Sequence, residues 1–432
     1  MENRMLTAVE EYNLQGKVLY SLGNYQEAIN MFKKAEAEDP MYAETYLNMG
    51  EAYVMLDKYD EAREVFNKAL LLDKQNGIAY FHLGNVEFLL GNNDAGREYY
   101  AKAVNNGFDD AQLYFNLGTV YEEMGKDEEA IKAFNKALAK DKFRADAKLR
   151  KAQIYIKNNK YSEAIQALDN MIELNPDVFE GHHYKILLLI EQDNFAEAEK
   201  ALSKAINLFP EDEGFKFDKV LLLEKQGKYD EAMNVLETEF SDSKGREVLL
   251  EKAKILLAQG KVDDSIALFE RVKSEEGVDF DDETRFYLIN IYANTGKHEK
   301  ALELCKEIME KKKENDYYYA AVFYNAECLN KLGRKEEARK AYEEASALFK
   351  LASSSNPEML DIIVYRALCY RALKQYDKAF EMVNYLLAIN EDIGEAYFIR
   401  SELYKELNEF EKAEIDRAKA ASKSRFLSML LE

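Results

Sequence analysis

Apolar residues recur along this chain every three to four positions, in segments of about a dozen residues separated by short polar turns. Such spacing places the apolar side chains on one face of an α-helix. The stretch 43–76 contains two of these segments, with apolar or small residues at Tyr46, Met49, Gly50, Tyr53, Ala62, Val65, Phe66 and Ala69. The pattern predicts two amphipathic helices joined by a tight turn at 56–59.

The same pattern returns every 34 residues. Counterparts of Tyr46 and Gly50 are Tyr12 and Gly16, Tyr80 and Gly84, and Tyr114 and Gly118, and counterparts of Ala62 are Ala28, Gly96, Ala130, Ala164, Ala198 and Ala232. A fixed period in this range is typical of a repeat array. We predict an all-α array of about twelve units: about seven regular repeats over 1–245, about five less regular ones over 246–421, and a capping helix extension over 422–432.

Turn chemistry supports these boundaries. The turn between paired helices carries glycine or the residues that best tolerate a left-handed backbone, Asn and Asp, with Lys374 as the exception. Proline, which is excluded from helix interiors, occurs three residues before a unit begins, at Pro40, Pro176, Pro210 and Pro357. Wider spacing between later units predicts polar loops near 274–277, 310–316 and 352–356.

The net charge of the chain indicates which kind of partner the protein binds. The 432 residues include 59 Lys plus Arg against 81 Asp plus Glu, a formal net charge of -22. An acidic surface repels phosphate backbones and anionic membranes, so we expect a protein or peptide partner, with a basic or amphipathic one favoured, and no nucleic acid. The charge does not indicate an oligomeric state.

Simple sequence features indicate the cellular location of the protein and the redox state of its cysteines. The first residues lack the apolar core of a secretory signal, and no run of about 18 apolar residues predicts a membrane span. Three cysteines without a CxxC spacing are typical of reduced thiols. We therefore expect a cytoplasmic protein.

The offsets resemble the tetratricopeptide repeat, a 34-residue helix-turn-helix unit. The fourth unit carries the matching residues at Tyr114, Leu117, Gly118, Tyr121, Ala130, Phe134 and Ala137. The similarity covers about residues 9–421, although tryptophan is absent. It implies a right-handed superhelical solenoid whose first helices line a concave groove, and family members are usually binding scaffolds.

In the resembling proteins, the second, fifth, sixth and ninth residues of each first helix line the groove, and the sixth position carries varied side chains here. The resemblance therefore implies a peptide-binding surface that includes Asn48, His82, Asn116, Arg150 and Tyr184. An asparagine amide both donates and accepts hydrogen bonds, which suits capture of a peptide backbone.

Some members hold a terminal carboxylate with two lysines, two asparagines and an arginine. Asn85, Asn116 and Arg150 fill three of those positions, but Phe81 and Asp146 replace the lysines. Because a carboxylate at this site repels another carboxylate, a solvated polar face is the better interpretation.

A second candidate surface is aromatic. Phe286, Tyr287, Tyr324 and Tyr365 occupy the fifth and sixth positions of later first helices. Rings at these positions either pack between neighbouring helices or remain exposed as apolar anchors for a peptide. His182 is expected to pack in the interior, whereas His183 faces the groove.

No nucleotide-binding, hydrolase or metalloprotease fingerprint occurs, and no cofactor or metal is expected. The sequence favours a non-catalytic protein-protein interaction scaffold that binds an extended peptide or a partner protein in its groove. The alternatives are a peptide-responsive regulator or co-chaperone adaptor and, less favoured, an all-helical enzyme.

Overall fold

A computed structural model describes residues 6–240, 245–274, 282–311, 317–356 and 359–423. These residues form twenty-four α-helices, which follow one another as twelve helix pairs. The chain divides into two compact units, residues 1–226 and 227–432. The predicted all-α array of about twelve repeats is therefore confirmed.

The first unit contains the first thirteen helices. Their bounds are α1 Ala8–Ser21, α2 Tyr25–Glu38, α3 Ala43–Val54, α4 Tyr59–Leu72, α5 Gly77–Leu89, α6 Asn93–Asn105, α7 Ala111–Glu123, α8 Asp127–Lys140, α9 Ala145–Lys157, α10 Tyr161–Leu174, α11 Phe179–Glu191, α12 Phe195–Leu208 and α13 Glu213–Lys225.

The second unit contains the remaining eleven. Their bounds are α14 Tyr229–Thr238, α15 Arg246–Ala258, α16 Val262–Ser274, α17 Asp282–Asn294, α18 His298–Glu310, α19 Tyr318–Lys331, α20 Lys335–Ser355, α21 Leu360–Ala372, α22 Tyr376–Ile389, α23 Gly394–Glu406 and α24 Phe410–Lys423.

The turns within pairs have the predicted left-handed residue. Gly23 has φ +79°, and its N–H and that of Asn24 bond back to the carbonyls of Tyr20 and Leu19, each at 2.9 Å. This motif satisfies carbonyls that the end of α1 would otherwise leave unpaired. Lys374 adopts the same conformation, with φ 57°, so the repeat geometry holds even where the residue type departs from the pattern.

In the first four pairs a glycine of the first helix faces an aromatic ring of the second. A Cβ added at Gly118 would lie 2.5 Å from the ring of Phe134, so the ring occupies the space that glycine leaves. Ala130 and Phe134 are both fully buried. The close helix crossing therefore depends on these two sequence offsets, as protein interiors are packed without spare volume.

One predicted loop is wrong. The structure continues α20 through Ser355, whereas the sequence pattern placed a loop over 352–356. Alanine and serine do not break a helix, and Ser354 and Ser355 donate their hydroxyls to the carbonyls of Lys350 and Leu351 within the same helix. Polarity alone was not a sufficient loop signal here.

Other boundaries agree with expectation where the structure describes them. Pro40, Pro176 and Pro210 lie between helices, and Pro357 lies outside the described residues. Ser274 and Glu310 end α16 and α18, and residues 275–277 and 312–316 of the two remaining predicted loops lie outside the described part. Of the predicted capping extension, residues 422 and 423 belong to α24 and residues 424–432 are outside it.

The first helices of successive pairs also contact one another. In the first unit α1 contacts α3, α3 contacts α5, α5 contacts α7 and α11 contacts α13, and in the second unit the same holds along α17, α19, α21 and α23. We call the surface formed by these helices the first-helix face. It is built within each unit by residues about 34 positions apart, which is why repeat register decides what meets there.

Candidate functional site

Two asparagines of adjacent repeats, Asn85 and Asn116, form a hydrogen-bonded polar group on the first-helix face of the first unit. The Asn85 side-chain carbonyl accepts hydrogen bonds from the Tyr100 hydroxyl at 2.7 Å and from the Asn116 amide at 2.8 Å. The Asn116 carbonyl accepts in turn from the Gln112 amide at 2.7 Å. The orientation of both asparagine side chains is therefore set by the fold.

This arrangement leaves one donor group available. In the described part of the chain, the side-chain nitrogen of Asn85 makes no hydrogen bond, while its oxygen is engaged twice. Asn85 is half buried, and its N–H₂ group carries two donors. The sequence suggested that Asn116 both donates and accepts toward a peptide. Asn116 donates one N–H and accepts one hydrogen bond within the fold, whereas Asn85 keeps both of its N–H donors available.

The preceding repeats place the candidate residues in similar links between neighbours. Asn48 donates to the Asn13 carbonyl at 3.1 Å. The His82 Nε2 lies 3.1 Å from a carboxylate oxygen of Glu51, and the ring stacks on Phe66 with centroids 5.0 Å apart. Position six of the first helix is thus bonded to the repeat before it.

The next two repeats show the same kind of contact between neighbouring repeats. Arg150 lies 3.5 Å from a carboxylate oxygen of Glu122, and the Gln153 amide donates to the Tyr184 hydroxyl at 3.2 Å. Burial raises the pKa of the Glu122 carboxyl, which Arg150 partly offsets. Of the five groove residues that the resemblance implied, the structure brings only Asn116 into direct contact with another candidate, Asn85.

The two residues that depart from the carboxylate-binding pattern have other roles. Phe81 is 8% exposed and packs against Phe108, with ring centroids 4.8 Å apart. Asp146 accepts hydrogen bonds from the Arg144 guanidinium at 3.1 and 2.6 Å. Neither position supplies the positive charge that a terminal carboxylate needs.

The aromatic candidates of the second unit lie half buried on its first-helix face. Phe286 stacks on Tyr317 at 5.1 Å between ring centroids, and lies 6.3 Å from Tyr287 and 6.4 Å from Tyr324. Tyr365 joins the group through Phe323, which stacks on it at 5.3 Å and contacts Tyr324 at 5.5 Å. These rings pack on one another, so most of their apolar area stabilises the repeat stack.

One of the two adjacent histidines is packed in the interior as expected, and the other contacts a carboxylate. His182 is 6% exposed, as expected for an interior ring. The His183 Nδ1 lies 2.9 Å from a carboxylate oxygen of Asp218, which is 3% exposed. Sequence reasoning did not predict this contact, although an Asp at the sixth position one repeat after a His at the fifth was a usable signal.

This pair predicts a pH-dependent stability. Hydrogen bonding to Asp218 raises the pKa of His183, and burial raises the pKa of the Asp218 carboxyl. Because folded His183 holds its proton more tightly than the unfolded residue, its stabilisation is complete below about pH 6.5 and is lost as pH rises through the higher folded pKa. We expect the free energy of unfolding of the first unit to fall by about 1 kcal/mol between about pH 6 and pH 9.

Urea denaturation across this range checks the expectation. The variant His183→Gln should flatten the profile, and His82→Gln serves as a control at another histidine that contacts a carboxylate. A profile that is identical in the wild-type chain and the His183→Gln variant would contradict the assignment.

All of the family models that match this chain describe one kind of repeat. Family models described as tetratricopeptide repeat match residues 19–83, 76–142, 121–185 and 189–238, and continue over 222–277, 250–316, 287–348 and 329–392. This chain belongs to the tetratricopeptide-repeat family. No curated protein matches the chain significantly.

Solved structures of other tetratricopeptide-repeat proteins are similar over part of the chain. MamA is 26% identical and aligns with 38% of this chain and 95% of its own, with a TM-score of 0.35. YrrB, described as having an unusual peptide-binding site, is 22% identical over 44% and 97%, with a TM-score of 0.37. PilF of Pseudomonas aeruginosa is 20% identical over 49% and 96%, with a TM-score of 0.42.

Sequence reasoning identified Asn85 and Asn116 but missed Tyr100 and Gln112, which orient them. A tyrosine where neighbouring repeats carry phenylalanine was the available signal for Tyr100. In the part of the chain that the structure describes, no helix is long and apolar enough to cross a bilayer.

Proposed function

We propose that this tetratricopeptide-repeat protein is a non-catalytic interaction scaffold that binds an extended segment of a partner protein along the first-helix face of its first unit. The observation that carries the proposal is the oriented Asn85 amide, whose oxygen is held by Tyr100 and Asn116 while its two N–H donors are available. A fixed donor pair of this kind matches a peptide carbonyl.

Preorganisation is what distinguishes Asn85 from an ordinary surface asparagine. Because two neighbours already fix the side chain, little rotamer entropy is lost when a ligand accepts its hydrogen bond. The bond recognises a backbone group and is therefore tolerant of the partner's sequence. Specificity then rests with the side chains that differ between repeats, such as His82 and Arg150.

Charge favours a basic or amphipathic segment. The chain carries a formal net charge of -22, and this part of the first-helix face includes the carboxylates of Glu51 and Glu123. Such charges accelerate association with a cationic partner and discriminate against an acidic one. The effect should weaken as salt increases.

The test is a peptide selection followed by affinity measurement. Peptides enriched from a random library on the wild-type chain are measured by fluorescence anisotropy against Asn85→Ala and against Asn30→Ala, an exposed asparagine on α2. Loss of a preorganised hydrogen bond is expected to raise Kd about tenfold in the Asn85→Ala variant. The Asn30→Ala control should bind as the wild-type chain does.

Two results would count against the proposal. Equal affinity in all three proteins would exclude Asn85 from the site, and weakening by Tyr324→Ala instead would place binding on the aromatic first-helix face of the second unit. A library that yields no enriched peptide would reject capture of an extended segment altogether.

A further inference from the structure

A groove in the second unit is lined by residues of α14, of α15 and the turn that follows it, and of α16. Its volume is about 320 Å³, and its apolar lining comes from Met233, Leu256 and Leu268. Four charged residues also line it: Asp230, Glu237, Lys252 and Lys261. A volume of this size lies at the lower end of the range of about 300–1,000 Å³ found for small-ligand sites.

The next junction along the chain shows one way in which an equivalent groove is filled. Tyr292 of α17 is 3% exposed, and its hydroxyl donates to a carboxylate oxygen of Glu270 at 2.5 Å. The ammonium groups of Lys297 and Lys300 lie 5.8 and 5.3 Å from the centre of its ring. The tyrosine is thus recognised by an acceptor at its hydroxyl and by cations at its face.

Repeat register identifies the equivalent residues of the groove. The turn glycines Gly260 and Gly296 set a step of 36, which relates Leu256 to Tyr292 and Lys261 to Lys297. On the preceding second helices, Ala232 and Ser265 set a step of 33, which relates Glu237 to Glu270.

The groove therefore keeps the acceptor and one of the cations but has leucine where the next junction has tyrosine. Leucine is shorter than tyrosine and has no hydroxyl, so it leaves space beside these two groups. In the described part of the chain, the side chains of Glu237 and Lys261 form no hydrogen bond or ion pair, unlike Glu270, which Tyr292 and Lys300 both contact.

We propose that this groove binds a tyrosine side chain presented by a partner polypeptide. The aromatic ring packs on Met233, Leu256 and Leu268, its hydroxyl donates to the Glu237 carboxylate, and Lys261 lies near the ring as Lys297 does at the next junction. The binding mode reproduces between two chains a contact that this protein already makes within itself.

The chemistry of the lining selects tyrosine over related side chains. Phenylalanine fills the apolar volume but leaves the Glu237 carboxylate without a donor. A phosphorylated tyrosine places its phosphate where the hydroxyl would donate to Glu237, so the contact with this carboxylate becomes repulsive. The inference concerns a groove between second helices and does not depend on the site proposed on the first-helix face.

Methyl NMR of the full-length chain tests the proposal with N-acetyl-tyrosinamide as the probe. Titration is expected to shift the methyl resonances of Met233, Leu256 and Leu268. The matched probe N-acetyl-phenylalaninamide lacks only the hydroxyl and should bind about tenfold more weakly, since a hydrogen bond to a charged acceptor is lost. The substitution Glu237→Gln, at an exposed residue, should remove most of the preference for the tyrosine probe over the phenylalanine probe.

The decisive variant is Leu256→Tyr, which restores the residue found at the next junction. Its own ring should fill the groove and abolish the probe-induced shifts, while the circular dichroism spectrum stays helical. If that variant does not fold, Leu256→Phe supplies the same blockade without a buried hydroxyl. Shifts spread over other methyl groups, equal binding of the two probes, or undiminished binding to the filled variant would overturn the proposal.

Discussion

Replacing Gly118 with isoleucine is expected to lower the free energy of unfolding of the first unit by about 3 kcal/mol. A Cβ at this position would already lie 2.5 Å from the Phe134 ring, and isoleucine adds three further carbons beyond it. The ring is fully buried between its neighbours and has no free space to move into. The helices of this pair must therefore separate, which exposes apolar area on both.

The chain itself indicates how the clash can be relieved. Where the residue equivalent to Gly118 is large, the residue equivalent to Phe134 is smaller, and the two lie in one buried cluster, as in the pairs Ile186 with Leu202 and Ile289 with Cys305. The double variant Gly118→Ile, Phe134→Leu reproduces the first of these combinations. It should recover at least half of the stability lost by the single variant.

Urea denaturation monitored by circular dichroism measures this effect. Lys132→Ile on the exposed side of α8 introduces the same side chain without the clash and should leave stability nearly unchanged. Because repeat arrays unfold in segments, loss of a separate first transition is as informative as a shifted midpoint. A double variant no more stable than Gly118→Ile would contradict the proposed compensation.

Replacing Arg400 with leucine is expected to destabilise the second unit by about 3 kcal/mol. The Arg400 guanidinium holds the Asp416 carboxylate with two bonds of 2.6 and 2.9 Å, and Asp416 is only 3% exposed. Removal of the arginine leaves a buried carboxylate without its partner. Such a group must either protonate or draw water into the helix pair, and both are costly.

A double variant separates the cost of the unpaired charge from the value of the pair. Arg400→Leu with Asp416→Leu removes both charges, so it should be clearly more stable than Arg400→Leu alone. Lys340→Leu is the control, because Lys340 and Glu344 are both exposed and their pairing contributes little. Thermal and urea denaturation of the wild-type chain and of the three variants measure these differences in stability. Equal stability of the single and double variants would show that Asp416 does not depend on Arg400.

Most of the fold could be predicted because its determinants are local and periodic. A turn residue such as Gly23 and a small residue such as Ala130 act within one helix pair, so their spacing is visible in the sequence. The error at 352–356 arose where this logic was weakest. Alanine and serine neither favour nor forbid a helix strongly, and the hydroxyls of Ser354 and Ser355 bond within α20.

The candidate site was predicted less completely, for a physical reason. The resemblance implied that Asn116 and Asn85 face one surface, but which amide keeps available donors depends on Tyr100 and Gln112. Side chains use their donors and acceptors on one another, and residue types alone do not show which of these groups are used. The groove beside Leu256 was missed for the same reason, since a leucine becomes informative only when Glu237 and Lys261 are seen around it.

The sequence by itself determined the all-α tetratricopeptide-repeat architecture, the helix pairs and the packing of a small residue against a large one in the first four pairs. Those features repeat every 34 residues because every pair solves the same packing problem. Only the tertiary structure decided which polar groups remain available and where a groove opens. These properties depend on side chains of neighbouring repeats, which meet only when the helix pairs stack.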